Sequence, residues 1–351
     1  MFKIRTILMP MLVVFLCLFC QTNVEAKGSQ EPKRTAQPDW VSDPYNKYNK
    51  VIYIAAVGYG NSRDMAEKTA LTNLSSIFGQ SIQSETRTDY SYTQAVQASA
   101  IAWSEKSDLE QVVKTSVAMD TLIGAEIKDV WQSPGGEWYA TAVLDKAKTN
   151  MIYGELIQQN LETINKLIRL SAAERQSFEG FMNYYQAANL ADANLVFANV
   201  RNVISPGAMA GENLKTGNDY RVEAAQIAKN IPITVIVEDD VQNRIRGAFS
   251  ASFTKAGFLT GGAGGRYVLL ATLSLNEVDF PNNPYKHIRY VVDANLIDTS
   301  TGVVLFPYNI NDREGAVSLS EAQTTAVRAA EARINSEYLT ALQRYLSRDV
   351  K

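Results

Sequence analysis

The sequence predicts an α+β protein, with two antiparallel-sheet-plus-helix domains joined by a helical segment. Three observations lead there. Stretches whose side chains alternate with a period of two lie on either side of a long middle region whose apolar residues recur every three or four positions. Short Gly- and Pro-containing turns join several of the strands directly, as antiparallel neighbours require. A long helix with its own capping box closes the chain, so helices and strands are partly segregated along it.

Residues 1–26 read as a cleavable secretory signal. Lys3 and Arg5 make the positive start, residues 7–19 are apolar apart from Pro10, and Val24-Glu25-Ala26 puts small residues where signal peptidase reads. Cleavage after Ala26 makes Lys27 the first mature residue. The apolar run is shorter than a membrane span needs. Cys20 offers a second outcome, lipidation, and an acyl chain there would tie the protein to a bilayer. Phe19 departs from the small residue that normally precedes a lipidated cysteine.

Cys17 and Cys20 are the only cysteines, so cleavage after Ala26 leaves no disulfide, thiolate nucleophile or Cys-ligated metal. It also removes two cations and one anion, Lys3, Arg5 and Glu25, taking the net charge from −3 to −4. That balance does not predict a nucleic-acid partner, which would call for a basic face. Residues 27–38 are polar, contain two prolines and lack periodicity, and read as a flexible tether.

The N-terminal domain is expected over residues 39–148. A β-rich run at 51–57 ends in Gly58-Tyr59-Gly60. A helix follows, capped by Asn61 or Ser62, with Ala66, Ala70, Leu74 and Ile77 on one face. From 82 to 92 the side chains alternate, predicting a strand with one wet face; Tyr90 and Tyr92 on it are the first candidates for a contact surface. Extended stretches follow at 109–119 and 123–131. Ser133-Pro134-Gly135-Gly136 then turns the chain into a strand at 138–144.

Residues 149–204 are expected as a helical connector. Tyr153, Ile157, Leu161, Ile164 and Ile168 form a stripe, and Ser171-Ala172-Ala173-Glu174 opens a further helix carrying Phe178, Phe181 and Tyr185. Ser205-Pro206-Gly207 marks a boundary, and 205–230 reads as a linker.

The C-terminal domain is expected over 231–351. A strand lies at 233–237, and Val241, Ile245, Phe249 and Phe253 mark a helix at a spacing of four. Strands follow at 267–275, 290–297 and 303–308, the last two paired through Asp298-Thr299-Ser300-Thr301-Gly302. The closing helix starts at Ser318-Leu319-Ser320-Glu321 and buries Ala326, Ala330, Ile334, Tyr338, Leu342 and Tyr345.

No motif resolves into a catalytic constellation, and no cofactor or metal is expected. Gly58-Tyr59-Gly60-Asn61-Ser62-Arg63 follows a strand and opens a helix, but Arg63 stands where a dinucleotide fingerprint has its third glycine, so it reads as a tight turn. Gly261-Gly262-Ala263-Gly264-Gly265 precedes a strand and lacks the Lys-Ser/Thr of a P-loop, and reads as a mobile hairpin loop. His287 is the single histidine and no Gly-x-Ser-x-Gly elbow accompanies it, so it reads as a surface residue. Glu238-Asp239-Asp240 stands at the start of a helix, where negative charge favours the dipole.

Pro38-Asp39-Trp40-Val41, Gly58-Tyr59-Gly60 with Ala66 and Ala70, and Gly136-Glu137-Trp138-Tyr139-Ala140 through Asp145 together resemble the N-terminal domain of the Lpp-type membrane-associated lipoprotein family, which is related to the first domain of flagellar assembly protein T. The layout of 231–346, with Phe249, Gly257-Phe258 and Asn295 through Leu305, is similar to the periplasmic domain of TolB, the curli-secretion lipoproteins and the penicillin-binding-protein activators. Both resemblances imply envelope modules that bind other proteins. The expectation is a non-catalytic adaptor or assembly protein of the periplasm or outer-membrane periphery, with an envelope protein as partner. The alternative is a glycan or peptidoglycan binder; a membrane enters only through lipidation at Cys20.

Overall fold

Two sheets, each backed by helices, are built on one shared pair of long helices. The computed structural model describes residues 36–85, 92–102, 122–207, 213–262, 264–281 and 283–346. The signal segment with Cys20, Ala26 and Lys27, the tether up to residue 35, Tyr90 and the expected strand at 109–119 lie outside them.

The first sheet has the order β1-β3-β2 and is antiparallel throughout, from β1 (Tyr53–Gly60), β2 (Ala125–Gln132) and β3 (Trp138–Asp145). β2 and β3 are the expected hairpin, closed by Gly136 at φ 92°, a left-handed conformation that favours glycine. Helix α1 (Arg63–Glu85) lies on one face and buries Ala66, Ala70, Leu74 and Phe78. Ile77, expected on that face, is instead exposed and Phe78 takes the place beneath Leu74. The glycine turn explains the close approach: a Cβ on Gly58 would stand 2.0 Å from the Ala70 amide nitrogen. Ser62 is the cap, its Oγ accepting from the Met65 amide at 3.2 Å.

The strand expected over 82–92 is not present at either end. α1 runs through Glu85, and α2 (Tyr92–Ala102) starts at Tyr92. The alternation there involved Ser, Thr and polar residues and so held no apolar set to bury. The buried Ala95, Val96 and Ser99 follow helical spacing from Tyr92.

Helices α3 (Lys146–Ile168) and α5 (Phe178–Ile204) run antiparallel, joined across the one-turn α4 (Ala172–Arg175), whose capping box is the expected Ser171 with Glu174. Both serve two cores. Ile152, Tyr153, Leu156, Ile157 and the second half of α5 from Ala193 pack with the first sheet and α1. Ile164, Leu167 and the first half of α5 pack with the second sheet. Residues Pro38–Lys351 accordingly form one compact unit.

Part of the expected linker is helical. α6 (Gly217–Ala228) opens where Asp219 accepts from the Thr216 amide at 2.8 Å, and it buries Tyr220, Ala224, Ile227 and Ala228. The Thr-x-x-Asp signal and the four-then-three apolar spacing were masked by the polar residues around them.

The second sheet has the order β5-β4-β6-β7-β8, from β4 (Pro232–Glu238), β5 (Leu259–Thr260), β6 (Tyr267–Val278), β7 (Lys286–Asp298) and β8 (Val303–Ala316). It is mixed rather than purely antiparallel, because α7 (Arg244–Lys255) returns the chain so that β5 and β6 both run parallel to β4. The glycine-rich loop is therefore not a hairpin. It carries the chain from one side of β4 to the other, with Gly261, Gly262 and Gly264 at positive φ and the Gly262 carbonyl accepting from Thr234 Oγ1. The long α8 (Leu319–Leu346) buries Ala322, Ala326, Ala330, Ile334, Tyr338 and Leu342 against this sheet and α7, where Tyr338 meets Phe249, Phe253 and Phe306 edge-on or tilted.

Candidate functional site

The outer face of the first sheet is divided between a strap and an aromatic ladder. Two short 3₁₀ turns, Asp39–Val41 and Pro44–Asn46, fold the segment before β1 over one end of it. Trp40 anchors this strap at 5% exposure, and beneath it Ala55, Thr141 and Val143 are buried. Lys47 and Tyr48 pin its far side on Asp129: Lys47 donates to both carboxylate oxygens at 2.7 Å and the Tyr48 hydroxyl donates to one of them. Hydrogen bonds from Lys47 and Tyr48 hold the Asp129 carboxyl below its usual range against the opposing effect of burial.

Beyond the strap, Tyr59, Tyr139 and Trp131 occupy one register across all three strands. Tyr59 stands opposite Tyr139 on β1 and β3, and Trp131 opposite Tyr139 on β2 and β3. Residues directly opposite in an antiparallel pair share a face, and the ring centroids follow at 6.4 Å for Tyr59 and Tyr139 and 5.5 Å for Trp131 and Tyr139. Tyr59 is 67% exposed while the other two are half-buried. The Tyr139 hydroxyl donates to Glu137 at 3.0 Å, which raises its pKa. Trp131 Nε1 is buried without a hydrogen-bond partner.

Tyr92 is not part of this surface. Its hydroxyl shares a 2.7 Å hydrogen bond with that of the fully buried Tyr153 and accepts from the Ile123 amide at 2.9 Å, tying α2 to α3. Burial pushes its pKa up to about 12. The ladder residues were missed because the aromatic count directed attention to a stretch read as a strand. The usable signal was parity: Trp131 and Tyr139 lie on the same face of the one hairpin whose turn is unambiguous.

The remaining motifs have structural partners. Asp240 accepts from the Arg244 and Arg246 amides at 3.0 and 2.8 Å, capping α7 as the sequence suggested for its acidic run. His287 packs edge-on against Phe280 and hydrogen-bonds Asn283, with no hydroxyl or carboxylate among these partners. Among the described residues, no group of three or more His, Cys, Asp or Glu side chains is placed to hold a metal. No helix among them is long and apolar enough to cross a membrane.

The N-terminal unit is thus a three-stranded antiparallel sheet with a helix on its inner face and, on its outer face, a Trp-anchored strap and a ring ladder of which Tyr59 is the exposed member. Residues 38–145 match the LPP20 lipoprotein family, just under a third of the chain. The match begins at the strap and ends at Asp145, whose side chain caps α3. No curated protein matches the chain. Among solved structures, the secreted protein HP1454 from Helicobacter pylori is similar at 12% identity and a TM-score of 0.40, over 85% of this chain and 99% of that one. A minor lipoprotein from Acinetobacter baumannii (10% identity, TM-score 0.25) aligns over 33% of this chain and 90% of its own. Lipoprotein GNA1162 from Neisseria meningitidis (16%, TM-score 0.21) aligns over 30% and 99%.

Proposed function

We propose that this is a non-catalytic protein of the cell envelope, exported by its N-terminal signal, that acts as an adaptor by holding a protein partner on the outer face of its first sheet. The observation that carries the reading is the Tyr59, Tyr139 and Trp131 ladder, which projects aromatic area from a rigid sheet at little cost in side-chain entropy. The match of residues 38–145 to a lipoprotein family supports the envelope setting. The narrower likenesses to flagellar assembly protein T and to TolB belong to the same reading, and the identity of a captured partner tests them.

A photoreactive amino acid at Tyr59, irradiated in living cells, is expected to yield one dominant protein adduct. Changing Tyr59 and Tyr139 together to Ala should weaken the isolated complex by about 2 kcal/mol, some thirtyfold, without unfolding the sheet. Absence of any protein adduct, or an isolated complex whose affinity the double change leaves intact, removes the adaptor reading. A second reading is favoured by the same rings, whose faces also stack on sugars. It predicts co-sedimentation with purified sacculi that is lost in the Tyr59 and Tyr139 double variant.

A further inference from the structure

A separate groove of about 370 Å³ opens between α2, α5, α6 and α8, and its lining is unusual in composition. Five carboxamides face it, Gln94, Gln97, Gln186, Asn189 and Gln343, together with the guanidinium groups of Arg221 and Arg344. Among the described residues no carboxylate lines it, and Ala98 and Leu190 are the only aliphatic residues that do. The volume is at the low end of the range for small-molecule sites, about 300–1,000 Å³.

Two features inside it are built rather than incidental. Arg221 is held from below by Asp192, a carboxylate at 1% exposure that also accepts from the Gly217 amide at 3.1 Å. Position 217 has no room for a side chain, since a Cβ there would stand 2.2 Å from Asp192 Oδ1. Arg221 also lies close enough to the Tyr185 hydroxyl for its charge to oppose the rise that burial gives that group's pKa. A buried carboxylate is a costly way to join two helices, but it fixes a guanidinium in one orientation, and a guanidinium carries five donors in a planar fork suited to carboxylates. The second feature is Gln186, at 6% exposure, whose amide nitrogen is buried with no hydrogen-bond partner. An unpaired buried amide costs about 1–3 kcal/mol, which a ligand oxygen would recover.

We infer that this groove binds a small polar molecule bearing a carboxylate beside amide or hydroxyl groups, with Arg221 taking the carboxylate and the carboxamides, Gln186 among them, taking the neighbouring groups. Carboxamides both donate and accept, so they match acetamido, peptide and hydroxyl groups alike. The chemistry has two natural sources, an N-acetylated sugar acid and the carboxyl end of a short peptide.

The test uses the purified exported protein and ligand-observed NMR titration with three probes: N-acetylmuramic acid, acetyl-D-alanyl-D-alanine, and N-acetylglucosamine as the amino sugar without a carboxylate. Binding is expected for at least one acidic probe and not for the neutral sugar, and the acidic probe that binds identifies the source. Because Arg221→Gln would strand the buried Asp192 and threaten folding, the decisive variant is Gln97→Glu, an exposed position on the rim. The added negative charge should weaken the acidic probe at least about tenfold with the circular dichroism spectrum unchanged. Equal binding of the neutral sugar, no binding of either acid, or an acid whose binding ignores Gln97→Glu overturns the inference. None of these outcomes depends on the ring ladder, whose test remains separate.

Discussion

Gly58 and Tyr59 are neighbours in sequence and face opposite sides of β1, and each is set by what its side must do. On the inner side the backbones of β1 and α1 touch, so Gly58→Ala places a methyl group 2.0 Å from the Ala70 amide nitrogen. This should cost about 3 kcal/mol, the upper end for overpacking, measured as a fall in the urea midpoint. Asp298 is a second position where one side chain organises its surroundings. It receives Arg266 Nε at 3.0 Å and Nη2 at 2.7 Å, and the Ser300 amide and hydroxyl at 3.0 and 2.6 Å, fastening the β7–β8 turn to the start of β6. The hydrogen bonds from Arg266 lead in lowering its pKa to about 2. The folded value lies below the unfolded one, about 3.9, so the stabilisation is present above that value and is lost as pH falls from about 4 toward 2. Asp298→Asn should therefore lower the urea midpoint near neutral pH, and the gap to the wild type should close across that acidic window; a gap independent of pH contradicts the assignment.

Helices α2, α3 and α5 meet over a buried polar contact. Asn160 Nδ2 donates to Ser99 Oγ at 2.9 Å and to Asn194 Oδ1 at 2.8 Å, with all three residues at 1% exposure or less. Asn160→Leu strands two acceptors and should cost about 1–3 kcal/mol, while adding Asn194→Leu should recover part of that loss, because removing both partners is cheaper than removing one. A fully additive double variant would show that the contact does not bind the helices as a unit. At this scale the sequence was most legible where the apolar spacing was long and clean: the stripes of α3 and α8 and the hairpin at Ser133 to Gly136 are where the pattern put them. It was least legible at α2 and α6. Both are short and draw much of their apolar content from alanine, which makes a weak stripe, and each is stabilised by polar contacts with partners distant in sequence: Tyr92 with Tyr153, Ser99 with Asn160, Gly217 and Arg221 with Asp192. The amide groove was hidden for the same reason, since its lining comes from four helices and no stretch of the chain contains it. Of the aromatic ladder, the strand parity was readable, but the pairing of β1 with β3 that brings Tyr59 beside Tyr139 is a long-range contact.

Across the whole molecule, the two sheets are tied by helices that neither owns. α5 contributes Phe178 through Ala191 to one core and Ala193 through Ile204 to the other, and α3 divides in the same way. A flexible connector would let each sheet unfold at its own free energy. A 27-residue helix buried in both cores cannot lose half its contacts without exposing apolar surface on the other half, which couples the two. Unfolding of residues 38–346 is therefore expected as one cooperative transition. Hydrogen exchange followed by mass spectrometry gives the sharpest measurement, because Gly58→Ala acts only where α1 meets β1. If the cores are coupled, that change lowers the protection of buried β7 amides such as Val292 and Leu296 by the same free energy as those of β3. If β7 keeps its full protection while β3 loses it, the helices join two independent domains, and the coupling argued from their shared burial is wrong.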